Sequence, residues 1–401
     1  MASRIDDILA RAKSSNQEDR LNFEDLLYLM ELEKESDLQK LYQAAYEVKV
    51  AQVGKKAYYR GLIEFSNICI KDCLYCGIRK SSNQERYAMT MDEVLSMALW
   101  AHENKYGSIT LQSGERQDDE YCSFVSELIG RITEATKGQL AMTLCLGEQS
   151  EDVYQDWFNQ GAHRYLLRLE TSNPDLYKNL HPEHLKSDHS SDHSFENRLN
   201  CLSQLKNIGY QVGTGVMIGL PGQLPKDLVN DILFYEKHDI DMIGMGPYIV
   251  HKNTPLGEAV IAKGANTKKD QQDRFLYGLK MIAITRLYLK DVNIAATTAL
   301  QTLHPQGREL GLKAGANILM PIITIREYRK KYQLYDDKPC IDDDPSHCKN
   351  CLTGRVESVG DTVGFSERGD PPHFLKRSND QMIKTVGLSP HPQTLKSLIK
   401  L

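Results

Sequence analysis

The chain has 401 residues, 41% hydrophobic and 26% charged, with 49 Lys and Arg against 54 Asp and Glu, a formal net charge of −5. That balance excludes a protein that wraps nucleic acid, which needs concentrated positive charge, and no apolar run approaches the ~18 residues that span a bilayer. The opening residues carry Arg4, Asp6, Asp7, Arg11 and Lys13 around a short apolar patch; without the form of a secretion signal or transit peptide they point to a reducing, cytoplasmic setting, where disulfides are rare.

Residues 1–50 have helical apolar spacing and no Gly or Pro, and predict two or three helices. From Ala57 onward short apolar runs alternate with longer amphipathic segments. The predicted strands are Tyr58–Ser66, Ser108–Ser113, Leu140–Leu146, Arg164–Glu170, Val212–Gly219, Met242–Ile249, Ile294–Ala299 and Asn317–Ile322. Helical patterns lie between them, among them Met91–Lys105, Glu120–Ala135, Ser194–Ile208, Pro225–His238 and Asp270–Tyr288. Strictly alternating strands and helices imply parallel pairing with right-handed crossovers. Eight such units make an α/β chain of the (β/α)8 TIM-type barrel class, with N-terminal helices and an irregular C-terminal extension. A doubly wound sheet would have fewer units and a phosphate-binding glycine loop after its first strand, and that loop is missing. His181–His193, with four His, two Asp and three Ser, reads as a solvated loop insertion, a His-rich metal tract being the rival reading. The expected organisation is a helical segment over 1–50, a barrel over 51–335, a cysteine-bearing segment over 336–356 and a tail over 357–401, with a short helix at Thr394–Leu401.

The nine cysteines fall into three groups. Cys122, Cys145 and Cys201 are scattered and read as small core hydrophobes. Cys69, Cys73 and Cys76 form a C-x3-C-x2-C loop just after the first strand. Three close thiolates can hold three irons of a 4Fe–4S cube, leaving the fourth iron open to a small molecule; structural zinc normally takes four ligands. The loop's position also fits, because barrel enzymes put their chemistry at the C-terminal ends of strands. Cys340, Cys348 and Cys351 form a second set in an acidic segment after the eighth strand. His347 is a candidate fourth ligand there, so a Cys3His zinc site competes with an iron–sulfur cluster.

In the fourth strand Arg164, Leu166, Arg168 and Glu170 share one face by the period of two. Charges on a lumen face are costly unless they meet each other or a charged ligand. Arg198 stands at the start of the following helix, where a guanidinium can grip a carboxylate bidentately. Gly213-Thr-Gly215 and Gly219-Leu-Pro-Gly222 form a glycine-rich strand and turn that is not a Walker loop.

The cysteine spacing, Ser113-Gly114-Glu115 at the end of the second strand, the charged fourth strand and the glycine-rich fifth resemble the radical S-adenosylmethionine (radical SAM) superfamily. Cys73-Leu-Tyr-Cys76-Gly, Thr143-Leu-Cys-Leu-Gly-Glu148, Ser194-Phe-Glu-Asn-Arg-Leu-Asn-Cys201, Gly219-Leu-Pro-Gly-Gln223, Ala296-Thr-Thr-Ala299 and Gly315-Ala-Asn-Ile-Leu-Met-Pro321 narrow it to the biotin-synthase-like branch and, within it, to the maturases of iron-only (FeFe) hydrogenase. The resemblance spans about residues 40–352. It implies a radical SAM enzyme of hydrogenase maturation whose Cys69, Cys73 and Cys76 ligate a 4Fe–4S cluster. Tyr75, Ser113, Gly114, Glu115, Glu170 and Arg198 would bind S-adenosyl-L-methionine, with Tyr75 near the adenine. Thr143, Arg168, Thr297, Thr298, Met320 and Tyr332 would be the catalytic set lining the lumen. Only one of the adjacent Thr297 and Thr298 need face inward if that strand is regular.

The resemblance also implies an auxiliary iron–sulfur cluster, 2Fe–2S or 4Fe–4S, at Cys340, Cys348 and Cys351. The implied substrate is a small organometallic species, a cysteine-ligated iron carbonyl and cyanide, attacked at the cysteine sulfur by a 5′-deoxyadenosyl radical. The implied partners are a tyrosine-cleaving radical SAM maturase, a GTPase scaffold maturase and an electron donor such as ferredoxin or flavodoxin, with no nucleic acid and no membrane. Biotin synthase and methylornithine synthase are the rivals within the branch. A non-catalytic metal-cluster carrier is the rival outside it, and it leaves the charged lumen strand unexplained.

Overall fold

The computed structural model describes residues 3–182 and 193–378. The expected helix at Thr394–Leu401 and residues 183–192 of the polar insertion lie outside that range. Three N-terminal helices, Arg4–Lys13, Phe23–Met30 and Glu35–Val53, precede the first strand. Ser3 and Asn22 close capping boxes with Asp6 and Asp25, satisfying backbone donors that a helix start leaves free. The third of these helices packs on the 22-residue helix Lys268–Leu289.

The barrel strands are β1 (Lys56–Ser66), β2 (Ser108–Ser113), β3 (Ala141–Cys145), β4 (Arg164–Leu166), β5 (Gln211–Thr214), β6 (Met242–Ile243), β7 (Asn293–Ile294) and β8 (Ile318–Leu319). From β1 to β7 each pairs in parallel with the next, in registers such as Arg60↔Ser108, Thr110↔Thr143, Thr143↔Arg164, Arg164↔Gln211, Gly213↔Met242 and Met242↔Asn293. β8 pairs back onto β1, Tyr58↔Ile318. Asn317 N–H donates to Ile294 O and Ala296 N–H to Ile318 O, both at 2.9 Å, which closes the ring. Ala57 and Tyr59–Ser66 of β1 are buried, as expected of parallel strands covered on both faces.

The upper halves of β4–β7 depart from the predicted runs. β4 ends at Leu166, and Glu170 beyond it adopts a φ of +68°, although Leu169 and Glu170 still donate to Gly215 O. β5 breaks at Gly215, where a Cβ would stand 2.1 Å from Gly244 O. A glycine at 215 is what allows that approach. Above it Met217–Ile218 and Gly246–Pro247 form a separate parallel pair. The predicted strand Ile294–Ala299 is strand only at its start, because a helix begins at Thr298.

The tail forms a strap beneath the barrel. Helix Pro345–Ser358 runs past the expected boundary at 356. Thr362–Val363 then pairs with the first residues of β1. Asn293 at the foot of β7 donates to Gly369 O at 2.7 Å. Asp370 pairs with Arg164 at the foot of β4 and accepts from Gln211 at 2.6 Å. Arg377 reaches Asp241, and His373 reaches Asp239 and Asp291. No helix among the described residues is long and apolar enough to cross a membrane.

Candidate functional site

The mouth at the C-terminal ends of the strands opens into a cavity of about 290 Å³. The loop after β1 brings Cys69, Cys73 and Cys76 to its wall. Arg86 organises that loop by donating to the carbonyls of Asn67, Ile78, Arg79, Lys80 and Ser82. Other segments pin it: Ile70 N–H to Glu115 O, Leu74 N–H to Leu180 O and Gly77 N–H to Leu334 O, at 2.9–3.0 Å. Gly114 lies so close beneath the loop that a Cβ would stand 2.3 Å from Ile68 O and 2.8 Å from Cys69 Cβ.

All nine cysteines are free thiols. Burial pushes the Cys69, Cys73 and Cys76 thiols up, Cys76 to about 12, and in Cys73 and Cys76 the neighbouring cysteine charges add to the effect. Bare thiolates would repel one another there, and a cationic iron core offsets that repulsion, so the donor set fits a three-ligand iron–sulfur cluster.

Opposite the cysteines lies a buried charge network. Lys71 Nζ stands 2.8 Å from Glu148 and 3.3 Å from Glu115. Arg198 Nε lies 2.8 Å from the other Glu148 oxygen. Burial raises Glu115 to about 7, against the pull of Lys71. Glu170 is also raised by burial, with Arg168 and Arg198 opposing. Ser113 does not offer its hydroxyl to the cavity alone: it is engaged with Gly114 O and Tyr121 Oη, each at 2.6 Å. Tyr75 lines the cavity with its hydroxyl 3.2 Å from His181 Nε2.

Arg168, Glu170, Thr297, Thr298, Met320 and Tyr332 all line the same cavity. Arg168 Nε is buried without a partner among the described residues. Thr297 and Thr298 both face the cavity because they sit at a strand-to-helix turn, where the alternation of a strand no longer holds. Thr143 does not line it. It shares the face of Cys145 on β3 but lies deeper, fully buried. Gln112 Nε2 donates to Tyr332 Oη at 3.2 Å.

Sequence reasoning missed Lys71, Glu148, Cys145, Tyr335 and the buried Glu64–Lys338 pair, all of them at this cavity or bonded to its lining. Glu148 had a signal, since it ends the Thr143–Glu148 motif. Lys338 had none, because its partner is 274 residues away.

The second cysteine set converges only in part. Cys340, at φ +65°, lies against Cys348, and the interaction between the two free thiols lowers Cys348 despite its burial, with Arg308 also lowering it. Cys351 and His347 are exposed on the same helix. Among the described residues no cluster of three potential ligand groups forms there.

A parallel eight-stranded barrel with three thiols and a buried charge network at its C-terminal mouth is the architecture of a radical SAM enzyme. The pattern of the radical SAM superfamily matches residues 63–235. The chain is 44% identical over 326 residues to the [FeFe] hydrogenase maturase subunit HydE of Thermotoga maritima, covering 81% of this chain and 86% of that one. Its fold matches methylornithine synthase (PylB) with a TM-score of 0.73 at 23% identity, covering 91% of this chain and 98% of that one. It also matches the FeFe-hydrogenase maturase HydG from Carboxydothermus hydrogenoformans with a TM-score of 0.71 at 20% identity, covering 90% and 79%. The chain belongs to the HydE family of radical SAM enzymes.

Proposed function

We propose that the chain helps assemble the FeFe-hydrogenase active site by acting on a cysteine-ligated iron carbonyl and cyanide precursor, attacked at its cysteine sulfur. A bound 4Fe–4S cluster and SAM supply the 5′-deoxyadenosyl radical for that attack. Cys69, Cys73 and Cys76 hold the cluster. Arg198 grips the methionyl carboxylate, which its planar fork suits. Glu170 and the turn Ser113-Gly114-Glu115 receive the ammonium and ribose side, and Tyr75 flanks the adenine. Arg168, Thr297, Thr298, Met320 and Tyr332 receive the iron-bearing substrate, with Thr143 backing them from below. Arg168 is an incompletely partnered, half-buried cation on the cavity wall, where its attraction for an anionic iron species is stronger than in bulk water.

One observation carries this reading: the three thiols, the three SAM-facing charges and five of the six lumen residues converge on one cavity of about 290 Å³. A biotin-synthase role would need ligands for a second cluster inside the barrel. The only further thiol lining the cavity is Cys145, while Cys201 is buried 3.9 Å from Gln149 O. The test is anaerobic reconstitution followed by two assays: 5′-deoxyadenosine release under dithionite, and maturation of apo-hydrogenase with the tyrosine-cleaving maturase and the GTPase scaffold. SAM cleavage without maturation would overturn the maturase reading.

The same proposal includes a ferredoxin or flavodoxin as electron donor, a cytoplasmic location, and a peripheral metal site at Cys340, Cys348 and Cys351. The contact between Cys340 and Cys348 supports that last assignment, and the exposure of Cys351 weighs against a buried cluster.

A further inference from the structure

Two buried histidines, His181 and His193, stand against the cysteine loop and take no part in the roles above. The ligating atoms of Cys73, His181 and His193 lie within 4.8 Å of one another. His181 is not free to ligate. Its Nδ1 lies 2.8 Å from Tyr177 O, so that nitrogen carries the proton. Its Nε2 lies 3.2 Å from Tyr75 Oη and therefore accepts from that hydroxyl. His193 differs. Its Nε2 lies 3.8 Å from Cys73 Sγ, and its Nδ1 is buried with no partner among the described residues. The two imidazoles are packed edge to face at 4.7 Å between ring centres, and Tyr177 lies tilted against His181 at 4.0 Å, so the His193 ring is backed by packed rings on the side of His181.

A neutral imidazole carries one N–H and an imidazolium carries two, so either form can present Nε2–H to the sulfur. A sulfur bound to iron only accepts hydrogen bonds. The tautomer with the proton on Nε2 gives an N–H···S bond, while the other sets a lone pair against the sulfur's own. We propose that His193 is a positioning residue of the cluster site: its Nε2–H donates to the Cys73 sulfur and raises the potential at which the cluster takes up its electron. Hydrogen bonds to cluster sulfurs stabilise the more negative, reduced state. The inference rests on Cys73 being a cluster ligand.

The test uses the reconstituted full chain, with iron and sulfide counted first. His193→Phe keeps a ring without a donor, and His193→Gln keeps an N–H. Potentiometric titration followed by electron paramagnetic resonance should give a more negative midpoint for the Phe variant and a value near wild type for Gln. A Phe variant at the wild-type midpoint, or Gln and Phe shifted alike, would overturn the proposal. Wild-type protein carrying 15N-histidine gives a second reading that needs no variant to fold. Pulsed resonance on its reduced cluster should show a weak coupling to one imidazole nitrogen, and its absence overturns the proposal. A wild-type chain that takes up no cluster would refute the cysteine assignment itself, a result distinct from a cluster that ignores His193.

Discussion

The floor of the barrel holds a buried arginine from the β4 segment and the mouth a half-buried one, and the two are treated differently. Arg164 at the floor donates to Gln211 and Arg368 O and pairs with Asp370 of the strap. Arg168, four residues later on the same predicted face, has an unpartnered Nε, and among the described residues no carboxylate lies within ion-pair distance of it. A buried cation is costly alone. At the floor the chain supplies the counter-charge from its own tail, whereas at the mouth none of the described carboxylates lies within ion-pair distance. The same residue type on the same segment is therefore matched within the fold at one end, while at the other the proposed function gives it a substrate to bind.

The largest effect tests whether chemistry sits at the mouth at all. Cys69→Ala, Cys73→Ala or Cys76→Ala should each abolish reductive SAM cleavage, because a three-ligand site has no spare thiolate; 5′-deoxyadenosine from any of them would break the comparison. Next, Asp370→Ala should cost about 3–5 kcal/mol in denaturant unfolding, since it strands Arg164. Arg168→Met should change stability by less than about 1.5 kcal/mol yet stop hydrogenase maturation. Equal destabilisation by the two would erase the distinction between floor and mouth.

A smaller effect is expected at the SAM-facing charges. Arg198→Lys keeps the charge but loses the fork, and Glu170→Gln loses the charge; equilibrium binding should show each weakening SAM by about tenfold, ~1.4 kcal/mol. The floor has its own pH signature. Asp239 and Asp291 push His373 up to about 9 from 6.5. That ion pair stabilises the fold fully below pH 6.5 and is lost as pH rises through 9. Thermal unfolding should therefore slope downward across that window by at most ~1.4 kcal/mol per pH unit, and His373→Gln should flatten it. The smallest effect on the mouth belongs to the triple variant Cys340→Ala, Cys348→Ala, Cys351→Ala. It should lose any metal held there and keep SAM cleavage and most maturation. A variant that keeps its SAM cluster but matures nothing would bring the second set into the mechanism.

The lower barrel was largely legible in the sequence. β1, β2 and β3 differ from the predicted runs by at most two residues at either end, because strands buried on both faces read as apolar runs. The mouth was legible as chemistry more than as geometry. The cysteine spacing and the charged β4 face named the site, but the left-handed Glu170, the Gly215–Gly244 approach and the helix start at Thr298 follow from local crossings that periodicity cannot express. The partners of buried charges were the least legible. Arg164 and Asp370 are 206 positions apart, and Lys71 and Glu148 are 77 apart. Nothing in either local sequence announces the other.

The strap also bears on how the chain comes into being. Residues 362–377 are synthesised after every strand they close off. During translation the N-terminal helices and all eight strands leave the ribosome while the foot of β4 still lacks Asp370. Until the strap docks, Arg164 must keep its water, and the barrel stays unsealed at the end away from the active mouth. Final drying of the interior is thus a late event in biogenesis, and a ribosome stalled before residue 362 would carry a barrel that is threaded but wet.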